Sequence, residues 1–288
     1  MNGVIIIHMK DERVEEHMPE MPEMENYRRI ISDQILDVPI TNVIVNREKS
    51  INIEQDIFIS ELLNTRVIFI ERRGKYLNFH LNNGRRLLVH LMLGGLLYVG
   101  KKEDLPQRNT QVEITFGGTT LYFMGLRLGY VHLLSAKEVE QVLGQLGPEV
   151  TDRRMNSERF LNIVNGRRGA LKTLLVNQHV IAGIGNRYAD EIAFEAGLLP
   201  TAKIQDLGLE AIERLYNSMK SVLRKAVDAG GYIDTPVMKD DSHTGGYKLA
   251  FKVYDREGEV CSQCGGIVVK TELNSKKSFY CPTCQHDR

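Results

Sequence analysis

The spacing of apolar and polar residues divides the chain into a strand-rich first half and a helical second half. An apolar stripe with a period of about 3.6 residues opens the pattern and ends before Pro39: Met24, Tyr27, Ile31 and Ile35. Eight short alternating or apolar runs follow, at residues 41–45, 66–71, 76–81, 86–91, 96–99, 111–116, 119–124 and 130–134. Turns rich in asparagine and glycine separate several of them, which favours hairpins. The pattern predicts an antiparallel β-sandwich or a flattened barrel.

After Leu134 the apolar residues take helical spacing. Five helices are predicted, at residues 136–143, 157–165, 168–176, 187–196 and 209–227. A glycine- and aspartate-rich stretch at 230–246 is predicted to be a mobile loop. The fold class is therefore α+β. We divide the chain near Gly147-Pro148 into four parts: a detachable extension (1–17), an N-terminal β-sandwich (18–148), a helical domain with the loop (149–246) and a C-terminal cysteine module (247–288).

Composition is that of a soluble globular protein. The chain has 288 residues, of which 42% are hydrophobic and 26% charged. No apolar run approaches the ~18 residues of a membrane span. The apolar segment at 4–7 is too short for the core of a signal peptide, and acidic residues follow it. These features predict a cytoplasmic protein with no membrane partner.

The formal net charge of zero conceals strong clustering. Residues 72–102 carry seven basic side chains and no acidic one, and residues 159–189 carry five and none. Acidic residues concentrate in the first 25 positions and in 190–241. Such separation suits a groove that binds a polyanion, and it equally suits a solvated charged face.

The four cysteines of the chain follow the spacing Cys-x2-Cys-x16-Cys-x2-Cys, at Cys261, Cys264, Cys281 and Cys284. This spacing is typical of a structural site in which four thiolates enclose one Zn²⁺. A pair of disulfides is the alternative, which the lack of a secretion signal disfavours. Lysines between the two cysteine pairs, among them Lys276, could contact phosphates.

The segment Met18-Pro19-Glu20-Met21-Pro22-Glu23 organises the remaining chemistry. If synthesis begins at Met18 and the methionine is removed, Pro19 carries a free secondary amine with a pKa of about 8. Inside a longer chain the same nitrogen is a tertiary amide. A carboxylate beside an amine nucleophile is a common arrangement for proton transfer in covalent catalysis. The alternative interpretation is an acidic helix start with prolines in its first turn.

Two shorter motifs are candidate phosphate contacts. Gly183-Ile184-Gly185-Asn186 separates two predicted helices, where free backbone N–H groups and an asparagine side chain can hold a phosphate. A simple turn between helices would need glycine as well. Lys75 lies on a predicted turn between strands, where most lysines face water without a specific role.

In this order, the motifs resemble those of the formamidopyrimidine-DNA glycosylase and endonuclease VIII family, from Met18 to Gln285. The resemblance is carried by the Met-Pro-Glu-x-Pro-Glu start, by the terminal zinc finger and by four further segments: Arg72-Arg73-Gly74-Lys75-Tyr76-Leu77, His90-Leu91-x-x-x-Gly95, Leu146-Gly147-Pro148-Glu149 and Gly183-x-Gly185-Asn186-x-Tyr188-x-x-Glu191. It implies a β-sandwich, a helix–two-turn–helix domain and a zinc finger. It also implies a monomer that binds double-stranded DNA containing damaged bases or abasic sites.

The resemblance further implies a reaction in which Pro19 attacks C1′ of a damaged nucleotide and expels the base. The resulting Schiff base acts as an electron sink, so that β- and δ-elimination can cut the strand. Glu20 would supply acid–base catalysis on the sugar, Glu23 would support the site, and Lys75 is the fourth predicted catalytic residue.

The predicted DNA contacts form two groups. The first group consists of Lys75, Asn186 and Lys276, which would hold phosphates around the flipped nucleotide, with Lys172 and Gly185 as further predicted DNA contacts. The second group would enter the base stack in place of the flipped base: Leu93, Leu126, Arg127 and Leu128.

This chain departs from the family pattern in the second group. Leu93 stands where the family usually has methionine, and Leu126 and Leu128 stand where it has arginine and phenylalanine; only Arg127 is kept. Lys276 replaces the usual arginine of the zinc hairpin. Both the preferred lesion, an oxidised purine or an oxidised pyrimidine, and the reading of the opposite base therefore stay open.

The predicted function is that of a bifunctional DNA glycosylase and AP lyase for oxidised bases, with one structural zinc. The alternative is a protein of the same fold that binds damaged DNA without cutting it. It would follow if the extension is retained, or if the altered residues of the second group, the wedge residues, abolish base flipping. A zinc-dependent hydrolase is disfavoured because four thiolates leave no open coordination position.

Overall fold

The computed structural model describes residues 17–288, so all of the predicted extension except His17 lies outside the described residues. Helix α1 (Met21–Ile35) comes first, with Pro22 in its first turn, where a missing N–H costs nothing. Its apolar stripe is at most 3% exposed: Met24, Tyr27, Ile31 and Ile35. The predicted helix and its buried face are confirmed.

Eight strands form two antiparallel four-stranded sheets. They are β1 (Ile40–Val45), β2 (Val67–Arg73), β3 (Tyr76–Leu81), β4 (Arg86–His90), β5 (Leu96–Gly100), β6 (Thr110–Phe116), β7 (Thr119–Met124) and β8 (Tyr130–Leu134). The strand orders are β1-β6-β7-β5 and β2-β3-β4-β8. Each predicted strand is present, with small differences at the ends, and the α+β class with its antiparallel sandwich is confirmed.

The core of the sandwich also anchors α1. Alternate side chains of each sheet, such as Phe79 of β3 and Ile114 of β6, belong to the same buried cluster as Ile31 of α1. Alternation of this kind lets one face of a strand pack while the other faces outward. The acidic start of α1 is therefore fixed relative to both sheets.

A short helix in the sandwich half, α2 (Gln55–Leu62), was not predicted. Only Phe58 and Leu62 of this helix are buried. One pair of apolar residues a turn apart is too little periodicity to distinguish a helix from a loop.

The second half of the described chain contains the five predicted helices: α3 (Ala136–Leu143), α4 (Ser157–Val164), α5 (Leu171–Leu175), α6 (Asn186–Glu195) and α7 (Leu209–Asp228). Helix α5 is shorter than predicted. Gly169 has a φ of +116°, and Ala170 forms an isolated bridge with Lys203, so the chain is still extended where the pattern already looked helical.

The segment 230–246 contains no helix or strand, in agreement with its glycine-rich sequence. Tyr232, Ile233 and Val237 within it are nevertheless buried. The Val237 carbonyl accepts a hydrogen bond from the Val99 N–H of β5 at 2.8 Å. The segment is thus attached to the sandwich, and its mobility stays a prediction.

The C-terminal module is built on a hairpin of β9 (Val269–Leu273) and β10 (Lys276–Tyr280). Asn274 and Ser275 close it with φ values of 51° and 59°, the conformation that a two-residue hairpin turn requires. Helix α6 packs against α5, α7 and β10, so it lies at the junction of the helical domain and this module. Within residues 17–288, no helix has the length and apolar character needed to cross a membrane.

Candidate active site

Glu23, in the first turn of α1, joins three separate parts of the chain. Its carboxylate accepts hydrogen bonds from the Glu20 N–H at 2.8 Å, the Tyr188 hydroxyl at 2.7 Å and the Tyr232 N–H at 2.9 Å. The side chain is buried, and burial raises its pKa to about 7, with a further contribution from the nearby Glu20 carboxylate. Glu23 therefore holds the start of α1 against α6 and the 230–246 segment.

Glu20 directly precedes α1, and its carboxylate lies at the N-terminus of α6. The Gly185 N–H donates to it at 2.5 Å and the Arg187 N–H at 3.0 Å. Such amides have no partner within the helix, and the helix dipole favours an anion beside them. A Cβ at position 185 would overlap the Glu20 carboxyl group, so glycine is required there. The predicted anion site exists, but the Gly185 amide is committed to Glu20, which corrects its predicted role as a DNA contact.

Pro19 is buried directly before this carboxylate. With Met18 attached, its nitrogen is an amide. The Met18 carbonyl accepts a hydrogen bond from the Tyr232 hydroxyl at 2.9 Å, and the His17 carbonyl accepts one from the Gly94 N–H at 2.7 Å. The two residues ahead of Pro19 therefore lie between Tyr232 and the 91–95 loop, across the candidate site.

Lys75, on the β2–β3 turn, points towards the Glu20 carboxylate instead of into water; we call the group formed by Glu20, Glu23 and Lys75 the pocket. It is only 8% exposed, and a Cβ on Gly185 would lie 2.6 Å from its Nζ. Burial lowers the pKa of Lys75, while the charges of Glu20 and Glu23 raise it. The structure thus brings Lys75 to the start of α6, where the two carboxylates already meet.

The turn that carries Lys75 is held by Glu149 from the segment between the domains. Glu149 accepts hydrogen bonds from the Gly74 N–H at 2.5 Å and from two nitrogens of Arg72 at 2.9 and 2.6 Å. Arg73 adds an ion pair at 3.2 Å. Glu149 therefore joins the motifs at 72–77 and 146–149 through hydrogen bonds and ion pairs. Two arginines of the first basic run, Arg72 and Arg73, pair with this carboxylate inside the protein.

Lys172, predicted to contact DNA, is buried in an ion pair. Its Nζ donates to Asp190 at 2.8 Å and to the Lys277 carbonyl at 2.6 Å. Asp190 also accepts hydrogen bonds from the Ser278 hydroxyl at 2.8 Å and the Phe279 N–H at 2.9 Å. Burial raises the pKa of Asp190 to about 6 despite the adjacent ammonium. The predicted DNA contact is corrected, because the Lys172 charge is already paired with Asp190 inside the protein, where it ties α5 and α6 to the zinc hairpin.

Of the four predicted wedge residues, one is buried in the core and three lie at the surface to different extents. Leu126 is 0% exposed in the core of the sandwich, so it cannot enter a base stack, and its predicted role is corrected. Leu128 is 64% exposed and lines a cleft of about 390 Å³ together with Leu93 and Arg127. Arg47 fixes the loop by donating to the Leu126 carbonyl at 2.6 Å. The chain therefore presents Leu93, Arg127 and Leu128 at this edge.

Asn186 and Lys276 lie near the pocket from two sides. Asn186 is the first residue of α6, next to the amide that holds Glu20. Its Oδ1 is buried and has no hydrogen-bond partner among the described residues. Lys276 is exposed at the start of β10, and its charge adds to the effect of burial in lowering the pKa of Lys75. Their role as phosphate contacts stays a prediction.

The four cysteines converge at the base of the hairpin. All four Sγ atoms lie within 4.8 Å of one another; Cys264 and Cys281 are 3.5 Å apart, and Cys261 and Cys284 are 3.8 Å apart. Thiolates that surround zinc tetrahedrally at ~2.3 Å lie about 3.8 Å from each other. The residues fit one structural zinc ion enclosed by four thiolates.

Three residues of α6 that were assigned no individual role from the sequence hold the site together. Tyr188 donates to Glu23, and Glu191 accepts hydrogen bonds from the N–H groups of residues 252–254 at 2.8 to 2.9 Å. The guanidinium of Arg187 lies between the rings of Tyr232 and Tyr254, 4.5 and 4.7 Å from their centroids. Tyr188 and Glu191 lie within a recognised motif, but nothing in the sequence marks Arg187.

Three family models match the chain in order. They are the formamidopyrimidine-DNA glycosylase N-terminal domain at residues 18–131, the formamidopyrimidine-DNA glycosylase H2TH domain at 146–236, and the zinc finger found in FPG and IleRS at 258–286. The fold and the site between the domains therefore define a zinc-finger DNA glycosylase of the helix–two-turn–helix class.

Individual relatives cover nearly the whole chain. Formamidopyrimidine-DNA glycosylase of Desulfitobacterium hafniense (strain DSM 10664 / DCB-2) is 31% identical over 272 residues, which are 93% of this chain and 100% of the relative. That of Pelotomaculum thermopropionicum is 32% identical over 273 residues, 93% and 99% of the two chains. The solved structure of Lactococcus lactis Fpg in complex with DNA containing an abasic site has a TM-score of 0.85 at 28% identity, over 93% of this chain and 99% of that one. The chain belongs to the formamidopyrimidine-DNA glycosylase family.

Proposed function

We propose that this protein is a DNA glycosylase and AP lyase, which removes oxidised bases from double-stranded DNA and cuts the strand where the base was lost. One observation carries the proposal: the carboxylate that follows Pro19 is held by the N-terminus of α6, 165 residues away in the chain. Such placement preorganises a charged group for catalysis. The relatives carry the name formamidopyrimidine-DNA glycosylase, and the related Fpg of L. lactis is seen in complex with DNA containing an abasic site.

The active form in this proposal begins at Pro19, with the residues before it absent. The first family model starts at residue 18, which supports this boundary. The secondary amine of Pro19 bonds to C1′ while the glycosidic bond breaks, and the base leaves with the electron pair and takes a proton from water. The nitrogen then loses its proton to the Glu20 carboxylate, the C1′–O4′ bond opens, and Glu20 passes that proton to O4′. An iminium between Pro19 and C1′ remains.

The iminium makes strand cleavage possible. Removal of a proton from C2′ sends electrons towards the positively charged nitrogen, and the C3′–O bond breaks with the 3′ phosphate as leaving group. A second elimination releases the 5′ phosphate. Lys75 lies beside the site with a lowered pKa, as burial disfavours its charged form, so it is suited to proton transfer as well as to holding a phosphate.

The proposed DNA contacts are the predicted ones that are not committed to partners inside the protein or buried in the core of the sandwich. Lys75, Asn186 and Lys276 hold phosphates, which position the duplex without reading its sequence. Leu93 and Leu128 fill the gap left by the flipped nucleotide. Because neither leucine can donate a hydrogen bond, the opposite base is discriminated only weakly.

The proposal also includes the domain limits of 18–148, 149–246 and 247–288. The limit between residues 148 and 149 is supported by Glu149, which lies at this junction and accepts a hydrogen bond from the Gly74 N–H of the β2–β3 turn. We place the protein in the bacterial cytoplasm as a monomer that acts on DNA.

A form that retains the residues before Pro19 has a different proposed function. In that form the Pro19 nitrogen is an amide, and His17 and Met18 hydrogen-bond across the site. Such a chain binds damaged DNA without cutting it.

A duplex with a single oxidised base distinguishes these functions. The form that begins at Pro19 should release the base and leave a cut strand, and oxidised purines and pyrimidines should be tried separately. Binding of every such duplex without release of any base would reject the glycosylase and leave the damage-binding protein.

A further inference from the structure

A cleft of about 780 Å³ lies between α1 and α7, and the segment at residues 151–153 also lines it. No residue assigned above to catalysis or to DNA contact is among the described residues that form its walls. Its volume is within the range of small-ligand sites, about 300–1,000 Å³. The cleft is therefore a candidate binding site separate from the reaction described above.

The cleft and the pocket lie on opposite sides of α1. Glu25 lines the cleft, whereas Glu23 accepts hydrogen bonds from Tyr188 and Tyr232 in the pocket. Two positions along an α-helix of 3.6 residues per turn are about 200° apart around its axis. A ligand in the cleft therefore does not meet the nucleotide that reacts in the pocket.

The charged residues of the cleft are mostly basic. Its two carboxylates belong to Glu25 and Asp228. Glu25 already accepts hydrogen bonds from Arg72 at 3.0 Å and from Arg28 at 2.7 Å. Asp228 is 3.9 Å from Arg224, and both side chains are mainly exposed, where such a pair contributes little. Five basic residues line the cleft, which gives it an excess of positive charge: Arg29, Arg72, Arg153, Lys220 and Arg224.

Three of these cations lie on different parts of the cleft and lack a carboxylate of their own. Arg29 of α1 is 3.6 Å from Glu25, whose oxygens are already shared with two other arginines. Within residues 17–288, no carboxylate pairs with Arg153 or with Lys220 of α7, whose ammonium lies 5.4 Å from the ring of Tyr216. Like charges that face one cleft repel each other unless an anion lies between them.

We propose that this cleft binds a small polyanion with two or more linked phosphate groups, such as pyrophosphate or a nucleoside triphosphate. The planar guanidinium groups of Arg29 and Arg153 match phosphate oxygens in bidentate geometry, and Lys220 adds a point charge. A single phosphate is too small to meet cations on all three parts of the cleft, which linked phosphates can do. The inference goes beyond the proposed function and does not depend on it, because no step of the reaction uses the cleft.

A ligand bound here joins the first helix of the chain to α7 and to residues 151–153. The unfolded chain has no such cluster of cations, so the ligand binds the folded state alone and stabilises it. The melting temperature of the protein should therefore rise with the concentration of the ligand.

The first experiment identifies the ligand. Titration calorimetry on the full chain with its zinc compares pyrophosphate, ATP and inorganic phosphate at one low ionic strength, without Mg²⁺. Pyrophosphate should bind at least about tenfold more tightly than inorganic phosphate, because the second phosphate adds hydrogen bonds from charged donors. ATP that binds as tightly as pyrophosphate would support the inference with the phosphate chain as the recognised group, and tighter ATP would support it with added contacts to the nucleoside.

Two results of this titration would overturn the inference. One is equal affinity for pyrophosphate and inorganic phosphate, since linked phosphates would then give no advantage. The other is the absence of binding of pyrophosphate and ATP up to about 10 mM.

The second experiment locates the ligand. Arg153→Met and Lys220→Met should each weaken pyrophosphate binding by about tenfold, the usual result of losing a hydrogen bond from a charged donor. Both residues are exposed, so the fold should be kept, and denaturant unfolding without ligand checks this. Arg214→Met is the matched control, because Arg214 is exposed on the same helix as Lys220 and does not line the cleft. An equal loss with Arg214→Met would show that net charge alone attracts the anion, and would overturn the inference.

The third experiment separates the cleft from the proposed DNA contacts. The titration with pyrophosphate is repeated on protein saturated with a duplex that contains a reduced abasic site. The affinity should stay within about threefold of that of the free protein, because the cleft and the pocket lie on opposite sides of α1. Displacement of pyrophosphate by the duplex would place it at the DNA phosphate contacts and overturn the inference. A protein that binds pyrophosphate in the cleft but releases no base would reject the proposed function and leave this inference intact.

Discussion

The pocket around Glu20 and the loop that carries Leu128 both face the proposed DNA, but they differ in how many contacts hold their side chains in place. In the pocket both carboxylates have partners from distant parts of the chain, Glu20 at α6 and Glu23 at Tyr188 and Tyr232. The loop at 124–129 is anchored by the buried Leu126, and beyond it Leu128 is largely exposed.

The difference shows which part of the molecule is free to change. A catalytic group must be held within a fraction of an ångström, which requires several contacts from rigid elements. A side chain that fills a gap between bases needs only bulk and an apolar surface. Substitution of Leu128 is therefore expected to cost the fold little.

The largest effect on the rate of base release should come from replacing the carboxylate of Glu20. Glu20→Gln is expected to lower the rate of base release by about 10²- to 10⁴-fold, the range for loss of a positioned acid–base group. Affinity for the duplex should change little, because Glu20 faces α6 and not a phosphate. Single-turnover base release and binding are measured for this variant and for Glu213→Gln, an exposed control on α7. A loss of less than tenfold would exclude Glu20 as the acid–base residue.

Removing the metal should have the next largest effect. Cys281→Ser is expected to lose zinc and to lower DNA affinity by at least about tenfold, because the hairpin that presents Lys276 is held by the metal site and phosphate contacts dominate affinity. Metal analysis and binding assays on the same preparation test this. Freshly purified wild-type protein without zinc, or a zinc-free variant with full affinity, would contradict it.

Alanine substitutions of the two leucines of the loop compare the buried position with the exposed one directly. Leu126→Ala should lower the free energy of unfolding by about 3 kcal/mol, as for other buried leucines. Leu128→Ala should lower it by less than about 0.5 kcal/mol and should instead slow base release. Denaturant unfolding and base-release assays on both variants give the answer. A strongly destabilised Leu128→Ala would show that the exposed position is part of the core.

A smaller effect concerns the pKa of Glu23, which is about 7 in the folded protein against an ordinary value of 4.5. The folded state therefore holds a proton that the unfolded state has released, so the stabilisation is present below the unfolded pKa and is lost as the pH rises through 7. Between pH 5 and pH 8 this group should lower the unfolding free energy by about 2 to 3 kcal/mol. Glu23→Gln should remove that part of the pH dependence, and parallel profiles for the two proteins would contradict the assignment.

What the sequence could reveal depended on how far apart the interacting residues lie. The stripe of α1, the eight strands and the cysteine spacing are local patterns, and each was predicted correctly. The commitment of Gly185 to Glu20 and of Lys172 to Asp190 arises only when separate elements meet, so both residues looked free to bind phosphate.

The same limit applies to the loop and to Arg187. Leu126 and Leu128 are equally apolar and two positions apart, and only the three-dimensional fold shows that one is buried and the other exposed. Arg187 gains its position from Tyr232 and Tyr254, 45 and 67 residues further along the chain. No short-range pattern could identify it.

Borohydride trapping tests the central claim most directly, because it makes the bond between the nucleophile and the DNA permanent. Protein beginning at Pro19 should cross-link to abasic DNA, and Pro19→Gly, which keeps an N-terminal amine, should retain part of this activity. The chain beginning at Met1 should bind the same DNA without comparable cross-linking. If that chain, shown by intact mass to be unprocessed, cross-links and cuts abasic DNA as fast as the shorter form, Pro19 is not the nucleophile, and Lys75 is the next residue to test.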